Sequence, residues 1–577
     1  MAMRLTRVLR APNKMILSGA LIVFVVAAVT GCESTNGAGG TPPAPAPKPL
    51  KIDKSSGDFR SMEKQLRAQN RAATLEYLRS NSKTGRLGDF VNEKMPAGEL
   101  IEGVGVVCEL NGRGTKSVPR GLEIQKRLSK SLLKEYPDPG TAAKILGSTD
   151  SAAVTVQAIL PPFAAEGDKV DVRVDAFDHS VNLEGGILAE VELEQFVEVP
   201  GQVKIDPMFT YSGRRASRGV QAYARGLVTL IPAIRDGKVV GQTAASTGYL
   251  PAGAMAKHPH GIVLRLKQGN ACQALLVEYT IAERFKCDVR ATDESSVRLT
   301  LPAEYSEDWQ RFVRVVFELD LGSSGQRATA RVDGLLGQLG SGDPRSRERA
   351  EYALEGIGNA AAPMMTKALR SSQGPKREAL LRVLGQLDVA EVGDELLTEA
   401  RSGSEQARLE ATRLLGRIKP KGVEETLVQL LGDDSGLVRS EAIRSLEKAQ
   451  AKQSPVKRIY SQEKNFILNW AEVPGHNEVV IYAGSGVRRI DVFGNVVAVN
   501  DGFKGEAGVV AMSVAEGRTQ MAFKHRPDLQ PVNMAGSNLR AIIAKLDERG
   551  VSINEILAIV AEMDRTKSLN ARVVWLD

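Results

Sequence analysis

Leu100-Ile-Glu-Gly-Val-Gly-Val-Val-Cys-Glu-Leu-Asn-Gly-Arg-Gly114 alternates apolar residues with glycine and glutamate, then breaks. The alternation has the period of a half-buried strand. Asn111-Gly112-Arg113-Gly114 is the turn that stops it, because Asn and Gly tolerate the left-handed backbone that tight turns need. The same texture continues downstream. Residues 153–160 (AVTVQAIL) read as a strand closed by Pro161-Pro162, since proline cannot donate to a ladder. Residues 169–177 (KVDVRVDAF) alternate apolar and charged residues, the pattern of a strand with one wet face. Residues 187–194 and 219–232 read similarly. Between them, residues 121–133 place Leu122, Ile124, Leu128, Leu132 and Leu133 on a helical face. The stretch from 85 to 325 is therefore expected to be α+β.

Upstream the chain changes character. Arg4, Arg7, Arg10 and Lys14 precede an uncharged apolar run from Met15 to Val29, and Thr30-Gly31 lead to Cys32. That is the layout of a secretory signal, and its ending is similar to the lipobox of bacterial lipoproteins, with valine where leucine is commoner. The resemblance implies cleavage after residue 31, with Cys32 as a lipidated N-terminus. The alternative is an uncleaved anchor, although the run is short for a span of about 20 residues. Either way, the chain beyond Cys32 is exported. Residues 32–57 read as a Gly-rich, then Pro/Ala-rich tether. Residues 58–84 are charge-rich and helical, with Met62, Leu66, Leu75 and Leu78 as anchors.

Three or four domains are the expectation for 577 residues. The net charge of +7 is spread over mixed-sign sequence and aromatics are only 5%, which speaks against nucleic-acid binding. Cys108, Cys272 and Cys287 are the thiols left after Cys32. The segment between Cys272 and Cys287 reads as one helix, about 22 Å long. A disulfide needs Cα atoms within about 7 Å, so no bridge is expected there.

Residues 328–450 carry paired amphipathic helices with a repeating texture. Ala350…Leu354…Ile357-Gly358 is echoed by Ala379…Leu384-Gly385, Ala411…Leu415-Gly416 and Ala442…Leu446-Glu447, at spacings of 27, 31 and 31 from Gly358 onward. In the third unit Ala407, Ala411, Leu414, Leu415 and Ile418 form one face. A period near 30 in helical hairpins is the mark of an α-solenoid, and the units resemble short HEAT-type repeats; a plain helical spacer is the alternative. Residues 451–577 return to strands, at 477–483 and 487–498. Leu539, Ile542, Ile543 and Leu546 then make a helical stripe, Gly550 stops it, and Ser552-x-x-Glu555 opens a second helix as a capping box. Residues 571–576 close as a strand.

Taken in order, these motifs resemble the flagellar P-ring proteins of bacterial basal bodies. Gly103, Gly105, Asn111, Gly112 and Gly114 stand where that family has L-x-G-x-G followed by its N-G-T-G turn. Leu160-Pro161-Pro162-Phe163, Gly167-Asp168 and Asp171-Val172-Arg173-Val174 come next, in the family's order. So do Leu183-Glu184-Gly185-Gly186, Ala222-Tyr223-Ala224-Arg225-Gly226 and Gly248-Tyr249-Leu250-Pro251-Ala252-Gly253-Ala254. The terminal helix pair matches the family's spacing. The resemblance covers about 85–320 and 477–577, with the repeats as an insert that excision should leave without harm to the rest. It implies a periplasmic ring of identical subunits around the flagellar rod, with the peptidoglycan and the outer-membrane ring as further candidate contacts. Cys32 would add membrane anchoring, with the outer membrane favoured because Glu33 is not aspartate. The lipobox and the repeats depart from the family's pattern. The other reading is an envelope scaffold lipoprotein whose repeats grip an unknown protein.

No catalytic, cofactor-binding or metal-ligating constellation stands out. G-x-S-x-G, H-E-x-x-H and P-loop patterns do not occur. His258-Pro259-His260 reads as a loop rather than a metal site, because Pro259 denies a shared helix face. Asp168, Asp171, Asp175 and Asp178 read as a solvated strand face.

Overall fold

The computed structural model describes residues 59–67, 71–92, 94–119, 122–199, 214–231, 233–240, 244–322, 330–524, 526 and 529–576. The signal, Cys32 and the tether lie outside these residues. Among the described residues no helix is long and apolar enough to cross a membrane. Helices and strands are mixed along the chain, as expected.

Two helices open the described chain, α1 (Phe59–Arg67) and α2 (Arg71–Ser80), followed by β1 (Glu99–Cys108), α3 (Leu122–Glu135), α4 (Pro139–Leu146), β2 (Ala152–Leu160), β3 (Lys169–Ala176), β4 (Ile187–Val199) and β5 (Arg214–Leu227). A short hairpin, β6 (Ile234–Arg235) and β7 (Lys238–Val239), leads to β8 (Thr247–Ala256). Six of these strands close into a barrel in the order β1-β2-β3-β8-β5-β4. Strand alternation fills it. Val154, Val156, Ala158 and Leu160 of β2 point inward with Val170, Val172 and Val174 of β3, while Ala153 points outward against α3. On α3 the buried stripe is Ile124, Leu128 and Leu132. Leu133, expected on that face, is exposed, because one residue turns a helix by about 100° and carries it off the stripe.

A second layer contains β9 (Ile262–Arg265), α5 (Ala271–Arg284), β10 (Val289–Asp293), β11 (Ser296–Leu299) and α6 (Trp309–Glu318). These share one core with α1 and α2, anchored by Leu66, Leu75 and Leu78 as the sequence suggests. The helix α5 spans most of the interval between Cys272 and Cys287, and Cys108, Cys272 and Cys287 are free thiols.

Eight helices come next: α7 (Val332–Leu339), α8 (Pro344–Ile357), α9 (Ala362–Leu369), α10 (Gly374–Gln386), α11 (Gly393–Ser402), α12 (Glu405–Ile418), α13 (Val423–Leu430) and α14 (Gly436–Ala449). Each odd-numbered helix packs on the even-numbered one after it, and the even-numbered ones pack on one another in succession. Asp343 caps α8 by accepting from the Arg345 and Ser346 amides, with Pro344 in the first turn. The buried series Leu354, Leu384, Leu415 and Leu446 fixes the true register. Its spacings are 30, 31 and 31, so the first unit aligns on Glu355 and not on Gly358. Gly358 is instead the cap of α8, at φ 78°.

The tail builds a five-stranded sheet from β12 (Lys457–Tyr460), β13 (Phe466–Ala471), β14 (Glu478–Tyr482) and β15 (Arg488–Phe493), then a four-stranded sheet from β16 (Lys504–Ala507), β17 (Val510–Ala515), β18 (Arg518–Phe523) and β19 (Val532–Ala535). Helices α15 (Leu539–Glu548) and α16 (Ile553–Arg565) precede β20 (Arg572–Leu576), which completes the first sheet beside β14. The capping box at Ser552 and Glu555 forms as read from the sequence. Strand alternation splits this sheet between two cores. Leu468, Val479, Ile481, Ile490 and Val492 pack with α15 and α16, whereas Ala471, Val480 and Phe493 join the repeat core.

Candidate functional site

The family-motif residues do not converge on one pocket. They sit at strand ends and close approaches of the barrel. Gly105 lies where a Cβ would overlap Val191 of β4, and a Cβ on Gly103 would come within 2.6 Å of the Glu192 carbonyl; bare backbone there lets β1 and β4 close the cylinder. Asn111 (φ 51°) and Gly112 (φ 81°) form the turn after β1, and Gly114 donates to the Thr149 carbonyl at 2.7 Å. Pro161 and Pro162 lead β2 out of the barrel. Phe163 then inserts into the neighbouring core, edge-on to Phe312 at 5.8 Å. Gly167 (φ 89°) turns the chain back, and Asp168 Oδ2 accepts from the Ala165 amide at 2.7 Å. Gly185 takes φ 72° before Gly186, which packs against Val107 and Leu110. Pro251 and Gly253 line a 620 Å³ cavity beside the tail.

That cavity marks the seam where residues ahead of the repeats meet residues behind them. Asp171 is its hub. Its carboxylate accepts from Arg488 at 2.5 and 2.7 Å, from the Ala252 amide at 2.8 Å and from the Gly486 amide at 3.3 Å. Arg488 is 2% exposed, so this bidentate pair is the strong, geometrically fixed kind. Asp171, expected on a solvated strand face, is still 32% exposed, but the tail grips it through Arg488, while Arg173 farther along the same face stays 54% exposed. Asp175, by contrast, pairs locally with Arg173 at 2.8 Å. Lys169 Nζ donates to the Glu463 carbonyl at 2.7 Å, and burial pulls its pKa below the ordinary lysine value. Beyond the barrel, Asn554 Nδ2 donates to the Ile231 carbonyl at 2.9 Å, and Ile231 and Ile234 belong to the tail's core.

A second buried junction ties α6 to the first repeat. Arg311 reaches Glu355 at 2.9 Å and Glu351 at 2.9 Å, Arg382 holds Glu351 at 3.0 and 3.1 Å, and Tyr305 donates to Glu355 at 2.6 Å. In register, the next two repeats carry Leu381 and Thr412 where the first has Glu351, and Gly385 and Gly416 where it has Glu355. Comparing repeats at the true spacing would have flagged both glutamates. A third junction joins the last repeat to the tail sheet. Arg439 pairs with Glu478, and Ser440 donates to Asp491, which Asn469 also contacts at 2.8 Å. None of these clusters resembles a catalytic centre. Among the described residues no group of three or more His, Cys, Asp or Glu could hold a metal, and His260 sits 3.8 Å from Glu99 alone of the carboxylates.

Residues 86–334 match the flagellar P-ring protein family, and residues 393–457 match HEAT repeats. The flagellar P-ring protein of Thermotoga petrophila is 26% identical over 255 residues, covering 42% of this chain and 68% of that protein. That of Helicobacter pylori strain P12 is 25% identical over 265 residues, covering 44% and 67%. Among solved structures, the CpcE–CpcF complex of phycocyanin lyase from Nostoc aligns with 22% of this chain at 22% identity and a TM-score of 0.20. The barrel and the α5–α6 layer fall inside the first matched segment. The tail from residue 458 lies outside both matched segments.

Proposed function

We propose that this protein is a structural component of the flagellar basal body, forming or contributing to a P-ring-like bushing around the rod in the periplasm. The match of residues 86–334 to flagellar P-ring proteins carries the reading. The role is structural and not enzymatic. The architecture suits it. A bearing must resist shear from a turning shaft, and a closed barrel has no free edges to slip or fray. Asp171 and Arg488 then tie the barrel to the tail. Identical subunits close a ring through two different complementary patches. On this reading the tail, with its terminal helix pair, belongs to the ring-building part, and the helical repeats are an addition to it.

Cys32, in this reading, is acylated and tethers the ring protein to a membrane, the outer one being favoured by Glu33. Cys32→Ser is expected to abolish palmitate labelling while export continues; undiminished labelling rules the anchor out. Deleting the gene is expected to abolish or impair swimming, with basal bodies lacking a stable ring at the periplasmic level. Normal swimming with complete basal bodies contradicts the flagellar role. The repeats favour a second reading, an envelope scaffold that binds a protein partner. In that case the protein is monomeric and travels with the partner instead of with basal bodies.

A further inference from the structure

The 620 Å³ cavity at the seam opens between the barrel strands β3, β5 and β8 on one side and, on the other, the turn 462–465 and the link 550–552 between α15 and α16. Its volume falls within the roughly 300–1,000 Å³ of small-molecule sites. Its lining is of two kinds. Tyr223, Leu227 and Met255 supply apolar surface, and Met255 is 48% exposed. Lys169, Arg225 and Lys464 supply charge, and among the described residues none of the three is in a salt bridge. The two acids in the lining do not cancel them. Glu190 is held by Lys134 at 2.7 Å, which leaves Glu463 against three cations. Lys169 gives one of its three N–H donors to the Glu463 carbonyl, a neutral group. Burial pulls the Lys169 pKa below the ordinary lysine value; Glu463 opposes this, and the Lys464 and Arg225 charges add to it. The three cations thus feel one another. Lys134 and Lys257 also stand over the Tyr223 ring, 5.2 and 5.5 Å from its centre. Like charges gathered about a partly enclosed cavity repel, and an anion among them relieves that repulsion.

We propose that this cavity binds a small organic anion, a carboxylate or phosphate head on an apolar body, with the head among Lys169, Arg225 and Lys464 and the body against Tyr223, Leu227 and Met255. Two observations select this class. Three cations facing one uncommitted carboxylate leave the site positive, which favours an anion over a neutral or cationic guest. The volume and the apolar residues exceed what a bare inorganic ion uses, and burying them rewards a carbon body. Arg225 can meet either head bidentately, while the lysines act as point charges. Lys169 and Arg225 belong to the barrel and Lys464 to the tail, so the ligand bridges the seam that Asp171 and Arg488 already tie. The inference goes beyond the ring reading and does not depend on it.

The test uses the full exported chain and, as probes, phenyl phosphate, benzoate, the neutral benzyl alcohol and inorganic phosphate. Binding is read by isothermal titration calorimetry at low salt. At least one of the two phenyl-bearing anions is expected to bind, and the tighter one identifies the head as phosphate or carboxylate. It is also expected to raise the unfolding temperature, because it binds only the folded seam. Arg225→Glu and Lys464→Glu are each expected to weaken binding by about tenfold or more, with Arg225→Lys closer to wild type. Both side chains are exposed, which favours an intact fold, and thermal unfolding of each variant checks it. Lys504→Glu on β16, which does not line the cavity, should leave binding unchanged. The proposal is overturned if neither phenyl-bearing anion binds the wild type, if benzyl alcohol binds as tightly as they do, or if folded Arg225→Glu and Lys464→Glu bind as wild type does. Inorganic phosphate binding as tightly as phenyl phosphate also overturns it, since the apolar residues would then play no part.

Discussion

Arg311 is the residue on which the front of the repeats depends. It lies between two buried glutamates, and Tyr305 and Arg382 complete their hydrogen bonds. Burial alone would raise the Glu351 carboxyl; the Arg311 charge and the Arg382 hydrogen bond outweigh it and hold that carboxyl below its ordinary value. Removing the arginine leaves two carboxylates buried against each other. Arg311→Met is therefore expected to destabilise the protein by about 3–5 kcal/mol in urea unfolding. The pH dependence has a definite sign. A depressed native pKa contributes stability above the unfolded value, near 4.5 for Glu, and that contribution is lost as pH falls through the native one. The stability gap between wild type and Arg311→Met should narrow as pH drops below about 4.5. A gap that is constant with pH, or a loss under about 1 kcal/mol, contradicts this account of the junction.

At the scale of elements, the repeats are not a detachable loop. The tail sheet is covered on one face by α15 and α16 and on the other by the last repeat, where Val480 and Phe493 are fully buried. Excising residues 330–450, which the sequence suggested would leave the rest folded, is expected to uncover that face. Each bared large side chain costs about 1.5–3 kcal/mol, and Asp491 loses the Ser440 hydroxyl. The excised chain is expected to bind a hydrophobic dye and lose cooperative unfolding. A sharp transition at the wild-type midpoint contradicts this packing. The elements themselves were legible because period-2 and period-3.6 patterns are local. The β1 to β4 strands, α16 and its capping box, and the α12 face all stem from neighbours in sequence. Asp171–Arg488 was not legible, since the partners lie 317 residues apart and an alternating strand does not reveal what meets its wet side. The repeat register is half legible: the period is apparent, but the texture alone aligns the first unit on a capping glycine, and only burial reveals the leucine series.

At the scale of the molecule, segments on both sides of the repeats form shared cores and a common salt-bridged seam. Ile231 and Ile234, from the barrel side, sit among the tail's apolar residues. This continuity allows a match confined to residues 86–334 to inform a reading of the longer chain. A bushing needs such a body, because torque from a rod reaches every contact of the ring. Electron microscopy of isolated basal bodies carrying a tagged copy of this protein tests that claim most directly. Label is predicted at many symmetric positions in a ring around the rod, at the height of the peptidoglycan. Basal bodies with an intact ring and no label, while the tagged protein remains elsewhere in the envelope, would contradict it.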